Sequence, residues 1–88
     1  MNSIREKVAN DAVSDPVISA VAEQFKLTRR EAEILRYLRK NAGNDVISGE
    51  LYLSDETVRT HVRNLMKKLS IEKRQDVNEW LEAFAKQC

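Results

Sequence analysis

Only three residues in this chain punctuate a backbone strongly, Pro16, Gly43 and Gly49. A small β-rich fold needs a turn roughly every 8 to 12 residues, so this scarcity points to helices. Apolar spacing agrees. Asp15 is a good N-cap ahead of Pro16, and Val17, Ile18, Val21, Ala22 and Phe25 then recur at helical intervals, which predicts a helix from about Pro16 to Phe25. Thr28 and Glu31 have the spacing of a capping box, and Ile34, Leu35 and Leu38 continue the stripe of a second helix from about Arg29 to Lys40. Asn41 can adopt the left-handed conformation that ends a helix, with Gly43 close behind to free the turn.

A short apolar-spaced piece, Ile47 to Leu51, comes next. Ser54 then caps a longer helix that starts at Asp55, with Asp55 and Glu56 placed favourably against the helix dipole. Val58, Val62, Leu65, Met66 and Leu69 fall within about 100° of one another on its wheel, the width of a core-facing stripe. Val77, Trp80, Leu81 and Phe84 mark a last helix from about Gln75 to Lys86. The expected fold is all-α, a small bundle of four core helices plus an N-terminal helix, with no credible strand. Met1 to Ser14 carry weak periodicity and no strong cap, and are expected to be a frayed helix or arm.

Charge decides more than its total suggests. The 88 residues carry 15 Lys and Arg against 14 Asp and Glu, a formal +1, but residues 54 to 74 hold six of the positive and three of the negative groups. Opposite the apolar stripe of the Asp55 helix, the wheel places Thr60, Arg63, Asn64 and Lys67 at the centre, with Arg59 and Lys68 on the flanks. Beyond Glu56 that face has no acid. Arg59, Arg63 and Lys67 span roughly two turns, a reach suited to one edge of a DNA major groove, and Thr60 and Asn64 add short groups for base edges or phosphates.

Other chemistries lack their residues. There is no base–nucleophile pair, glycine-rich phosphate loop or metal spacing, so no enzyme, cofactor or metal is expected. His61, the only histidine, is expected to pack or to contact phosphate, and Met66 to fill core. Asp76, Glu79 and Glu82 are expected to solvate the last helix, and Cys88 to be an exposed thiol. Apolar runs reach three residues where a membrane span takes about 20, so the expected setting is cytoplasmic, with no membrane partner.

A short helix, a tight turn and a longer helix with polar groups outward is the helix-turn-helix plan. The stretch Leu27 to Val77 resembles the LuxR/GerE type of bacterial helix-turn-helix domain, also the output half of NarL/FixJ-type response regulators. Leu27-Thr28-Arg29-Arg30-Glu31 with Glu33-Ile34-Leu35 resembles the family's L-T-x-R-E-x-E-V-L, and Asn44, Ile47 and Leu51 fall where its second helix has N-K-E-I-A-x-x-L. Ser54 to Val62 and Lys67-Lys68-Leu69 resemble S-x-x-T-V-K-x-H-V and K-K-L. The resemblance implies a domain over residues 27–88 whose third helix, Asp55 to Leu69, enters the major groove of double-stranded DNA, preceded by an arm and helix over residues 1–26. It implies base contacts at Arg59, Thr60 and Arg63, and backbone contacts at Asn44, Thr57, Lys67 and Arg74. The last helix, through Val77, Trp80, Leu81 and Phe84, is expected to form the face of a homodimer on a pseudo-palindromic site.

In the second helix Asp45 and Val46 replace the family's Lys and Glu, Ser48 replaces Ala, and Gly49 sits where glycine costs about 1 kcal/mol relative to alanine. Asp45 would face a phosphate with the wrong sign. The alternative is therefore a protein-interaction module on the same fold, with RNA polymerase or another regulator as partner. Either a stand-alone regulator or an output domain would fit.

Overall fold

The computed structural model describes residues 15–87, so the arm expected over Met1 to Ser14 and the thiol expected at Cys88 lie outside them. Among the described residues five α-helices follow one another: α1 (Pro16–Phe25), α2 (Arg29–Arg39), α3 (Asn44–Leu51), α4 (Asp55–Leu69) and α5 (Val77–Gln87), with one 3-10 turn, Arg74–Asp76, ahead of α5. No strand occurs among the described residues.

Three starts are set by the expected caps. The Asp15 carboxylate accepts from the Val17 N–H at 2.9 Å ahead of α1. Thr28 and Glu31 form the full capping box of α2, with Oγ1 accepting from the Glu31 N–H at 3.0 Å and Oε1 from the Thr28 N–H at 2.9 Å. Ser54 Oγ accepts from the Thr57 N–H at 3.1 Å and begins α4. The other two starts differ from expectation. Helix α3 begins at Asn44, three residues before the apolar spacing shows it, because its first turn, Asn44, Asp45 and Val46, buries no apolar side chain and its N-cap, Gly43, offers no side chain. Helix α5 begins at Val77 rather than Gln75, the chain first tightening into the 3-10 turn.

Each of the first four helices is followed by a left-handed residue, and none of these is glycine: Lys26 (φ 57°), Asn41 (63°), Tyr52 (57°) and Ser70 (59°). Asn41 thus adopts the conformation expected of it. Gly43 does not free the turn, since its φ is −81°. The next residue in each case donates its N–H five residues back, as Leu27 does to Ala22 O at 2.9 Å and Ile71 to Met66 O at 2.9 Å. That next residue, Leu27, Ala42, Leu53 or Ile71, packs on or within the core. The apolar anchor holds the corner where glycine would otherwise relax it.

One core runs through all five helices. Ile18 and Val21 of α1, Ile34 and Leu35 of α2, Ile47 of α3, Val58 and Leu65 of α4, and Val77 and Leu81 of α5 belong to a single buried cluster. Helix α4 packs on α2 and α3, while α1 packs on α2 and α5. The preceding helix is therefore part of the same folded body as the segment that carries the family resemblance.

Candidate nucleic-acid interface

Helix α4 buries Val58, Val62, Leu65 and Leu69 against the rest of the protein. Because burial is one-sided, the opposite face stays in solvent: Arg59, Thr60, Arg63, Asn64 and Lys67 are all exposed. Arg59 to Lys67 covers about 12 Å of helix axis, matching the width of a B-DNA major groove. Among the described residues the ion pairs are Arg30–Glu33, Arg39–Asp15 and Lys68–Glu31, so Arg59, Arg63 and Lys67 are neutralised by none of the described acids. The Thr60 hydroxyl donates to Glu56 O at 3.0 Å, which leaves the oxygen of this exposed side chain able to accept. The three residues expected at base edges thus share one open face with Lys67.

The other expected backbone contacts are arranged differently. Thr57 is half-buried at the start of α4, its Oγ1 accepting from Ser54 Oγ at 2.8 Å. Asn44 and Arg74 meet each other: Arg74 Nη1 donates to Asn44 Oδ1 at 2.6 Å, and Nη2 to Ala42 O at 2.7 Å. Arg74 is half-buried rather than displayed as an open cation. On α3, Asp45 and Glu50 are exposed, and among the described residues the exposed large apolar side chains are Val46 at 48% and Tyr52, just past the helix, at 93%. Tyr52 occupies the corner between α3 and α4, and the sequence reading missed it, because an isolated tyrosine between two leucines reads as core.

Lys68, placed by the wheel at the flank of the outer face, turns inward. Its ammonium donates to Glu31 Oε1 at 2.7 Å and to Lys26 O at 3.2 Å, clamping α4 to the α1–α2 corner. Among the described residues Glu31 is the buried charged one, 3% exposed. Burial alone would push its carboxyl up, but the bonds from Lys68 and the Thr28 N–H, with the charges of Lys68 and His61, outweigh this and hold it below the ordinary glutamate value. A depressed folded-state value contributes stability above the unfolded value and loses it as pH falls through the folded one. Glu31→Gln is accordingly expected to cost about 1 to 3 kcal/mol at neutral pH, and to flatten the loss of stability below about pH 4.5. Urea unfolding of both proteins between pH 3 and pH 7 checks this, and parallel curves would refute it.

The residues expected to form a dimer face on the last helix lie for the most part inside the protomer. Val77 and Leu81 are each 2% exposed and Phe84 8%, all within their own protomer's core. Trp80 is half-buried, its ring meeting Phe25 edge-on at 5.5 Å and stacking on Phe84 at 5.6 Å. Phe25 of α1 fills the side of α5 on which the sequence reading placed a second subunit. What α5 leaves to solvent is Glu79, Glu82, Ala83, Lys86 and Gln87.

His61 is half-buried beside the core stripe, close enough to Glu31 for its charge to act there, and Met66 packs on the core. Among the described residues no group of His, Cys, Asp and Glu could hold a metal ion, and no helix is long and apolar enough to cross a membrane. What the site offers is fixed positive charge and hydrogen-bonding groups on one helix face.

Residues 26–81 match the model of the bacterial regulatory proteins of the luxR family. The chain is 43% identical over 58 residues to the CsgBAC operon transcriptional regulatory protein of Escherichia coli, covering 66% of this chain and 27% of that protein. It is 32% identical over 81 residues to the HTH-type transcriptional regulator MalT of Cronobacter sakazakii, covering 92% of this chain and 9% of that protein. With the nitrate/nitrite response regulator protein homolog of Haemophilus influenzae the identity is 32% over 72 residues, 78% of this chain and 35% of that one. The chain thus spans about a third or less of these relatives. No solved structure matches it. Helix order, the outward basic face of α4 and the match over residues 26–81 agree: the chain belongs to the luxR family of bacterial regulatory proteins.

Proposed function

We propose that this protein is a transcriptional regulator that reads double-stranded DNA by laying α4 in the major groove. The observation that carries the reading is the open face of Arg59, Arg63 and Lys67, opposite a fully buried stripe and without an acidic partner among the described residues. Arg59, Thr60 and Arg63 would meet base edges, while Thr57, Lys67 and the Asn44 amide would meet the backbone. On a pseudo-palindromic site, two subunits would approach through the polar side of α5, Glu79, Glu82, Ala83 and Lys86, rather than through its apolar residues. The relatives are named as regulators of transcription, and that role is carried over here as part of the proposal.

A mobility-shift titration with mixed-sequence DNA at about 50 and 200 mM salt tests the reading. On mixed-sequence DNA, where no base contact is selected, Arg59, Arg63 and Lys67 would all meet phosphates. Neutralising three gives a log–log slope near −2.7, so affinity is expected to fall by about 40-fold between the two conditions. An absence of binding at the lower salt would overturn it. The second reading, a protein-docking module with RNA polymerase or another regulator as partner, is favoured by one observation: α3 and its corner expose Asp45, Val46, Glu50 and Tyr52 where a phosphate-facing helix would carry cations.

A further inference from the structure

Helix α3 is the element of this fold least able to hold its own orientation. It has eight residues, and isolated helices below about 12 to 15 residues are marginal in water. Its N-cap, Gly43, makes no side-chain bond, and Gly49 interrupts its middle. Its core contacts within the helix, Ile47 fully buried and Leu51 partly so, both lie beyond its first three residues, while Asn44, Asp45 and Val46 of the first turn bury no apolar side chain. A polar tether at that first turn adds the constraint on the angle of α3 against α4 that packing there does not supply.

Arg74 supplies a bond of that kind. Its backbone is held by buried neighbours on both sides, Ile71 and Val77. From there its guanidinium fork reaches two points at the start of α3, the Asn44 carboxamide at 2.6 Å and the Ala42 carbonyl at 2.7 Å. A planar fork fixes direction as well as distance, which the single ammonium of a lysine cannot do. The bond also orients Asn44: with Oδ1 taken, its Nδ2 has no acceptor among the described residues and is left to donate.

We propose that Arg74 is a positioning residue of the nucleic-acid interface, one that acts through Asn44 and the angle of α3 instead of neutralising a phosphate itself. The proposal rests on the DNA-binding reading above. It separates from a direct phosphate contact by charge, since a cation released by Arg74 would appear in the salt slope and a neutral donor such as Asn44 would not.

The test uses the full chain with Arg74→Lys, Arg74→Gln, Asn44→Ala and the double variant Arg74→Gln/Asn44→Ala, each titrated with mixed-sequence DNA over a salt series. Arg74→Lys and Arg74→Gln are both expected to weaken binding about tenfold, the loss of one charge-assisted hydrogen bond. Their salt slope should stay at the wild-type value, and the double variant should bind no worse than Arg74→Gln. Amide hydrogen exchange is expected to quicken about tenfold in α3 relative to α4 in both Arg74 variants. A slope reduced by about one in Arg74→Gln, with wild-type affinity kept by Arg74→Lys, would overturn the proposal in favour of a phosphate contact, and unchanged α3 exchange would overturn it outright. Should the wild type bind no DNA, the DNA-binding reading fails on that result, while exchange in α3 still decides whether Arg74 sets this helix.

Discussion

A chain that starts at Leu27 is expected to lose its cooperative unfolding transition. The family match begins at residue 26, so such a fragment keeps nearly all of the matched segment. It lacks α1, however, and with it Ile18 and Val21, both 0% exposed, and Phe25, which packs on the core and meets Trp80 and Phe84. Each fully buried side chain of this kind stabilises by about 1.5 to 3 kcal/mol. Two of them with part of a phenylalanine amount to about 4 to 7 kcal/mol, against a total near 4 to 13 kcal/mol for a chain of this size. The fragment would also bare Trp80 and Phe84. Circular dichroism during heating distinguishes the cases: the full chain should show a sigmoidal melt and the fragment a sloping, uncooperative one. A fragment that melts sharply within a few degrees of the full chain would make α1 an appendage. Ile18→Ala in the intact protein is the milder version, with an expected cost of about 2 to 4 kcal/mol.

The second large effect separates reading from holding on α4. Arg63→Ala is expected to relax preference among DNA sites, because a bidentate arginine–base contact discriminates by about 1 to 3 kcal/mol, or roughly 5- to 150-fold. Lys67→Ala should weaken all sites alike and lower the salt slope by about one. Both side chains are exposed, so neither substitution leaves a cavity or a buried unpaired group, and stability should move by less than about 0.5 kcal/mol. Selection of bound sites from random DNA with each variant gives the answer. If the two variants returned the same changes across the library, the division of roles between Arg63 and Lys67 would be wrong.

Local signals in this chain were readable and long-range ones were not. Caps at Asp15, Thr28 with Glu31, and Ser54 act over two or three residues, so the starts of α1, α2 and α4 could be placed from sequence. Helix α4 gave up its outer face to a simple wheel because its apolar residues lie on one side. By contrast, Arg74–Asn44 and Lys68–Glu31 join residues 30 and 37 positions apart, and only the folded body decides which cation turns inward. The burial of Val77, Leu81 and Phe84 within the protomer was hidden for a related reason. A last helix in a small domain has little core left to fill unless another element adds some, and Phe25 of α1 does so beside Trp80 and Phe84. Helix α3 was visible only in its second half, where Ile47 and Leu51 interrupt a polar run.

The four left-handed corners divide labour between neighbouring residues. Conformation is enforced by the apolar residue that follows, Leu27, Ala42, Leu53 or Ile71, while the corner residue contributes its shape to the outside world. A lysine, an asparagine, a tyrosine and a serine all occupy the same backbone geometry here. Such a fold can vary its corner side chains with little change of architecture, so what stands at position 52, between the two helices of the motif, is open to tuning by whatever the protein meets there.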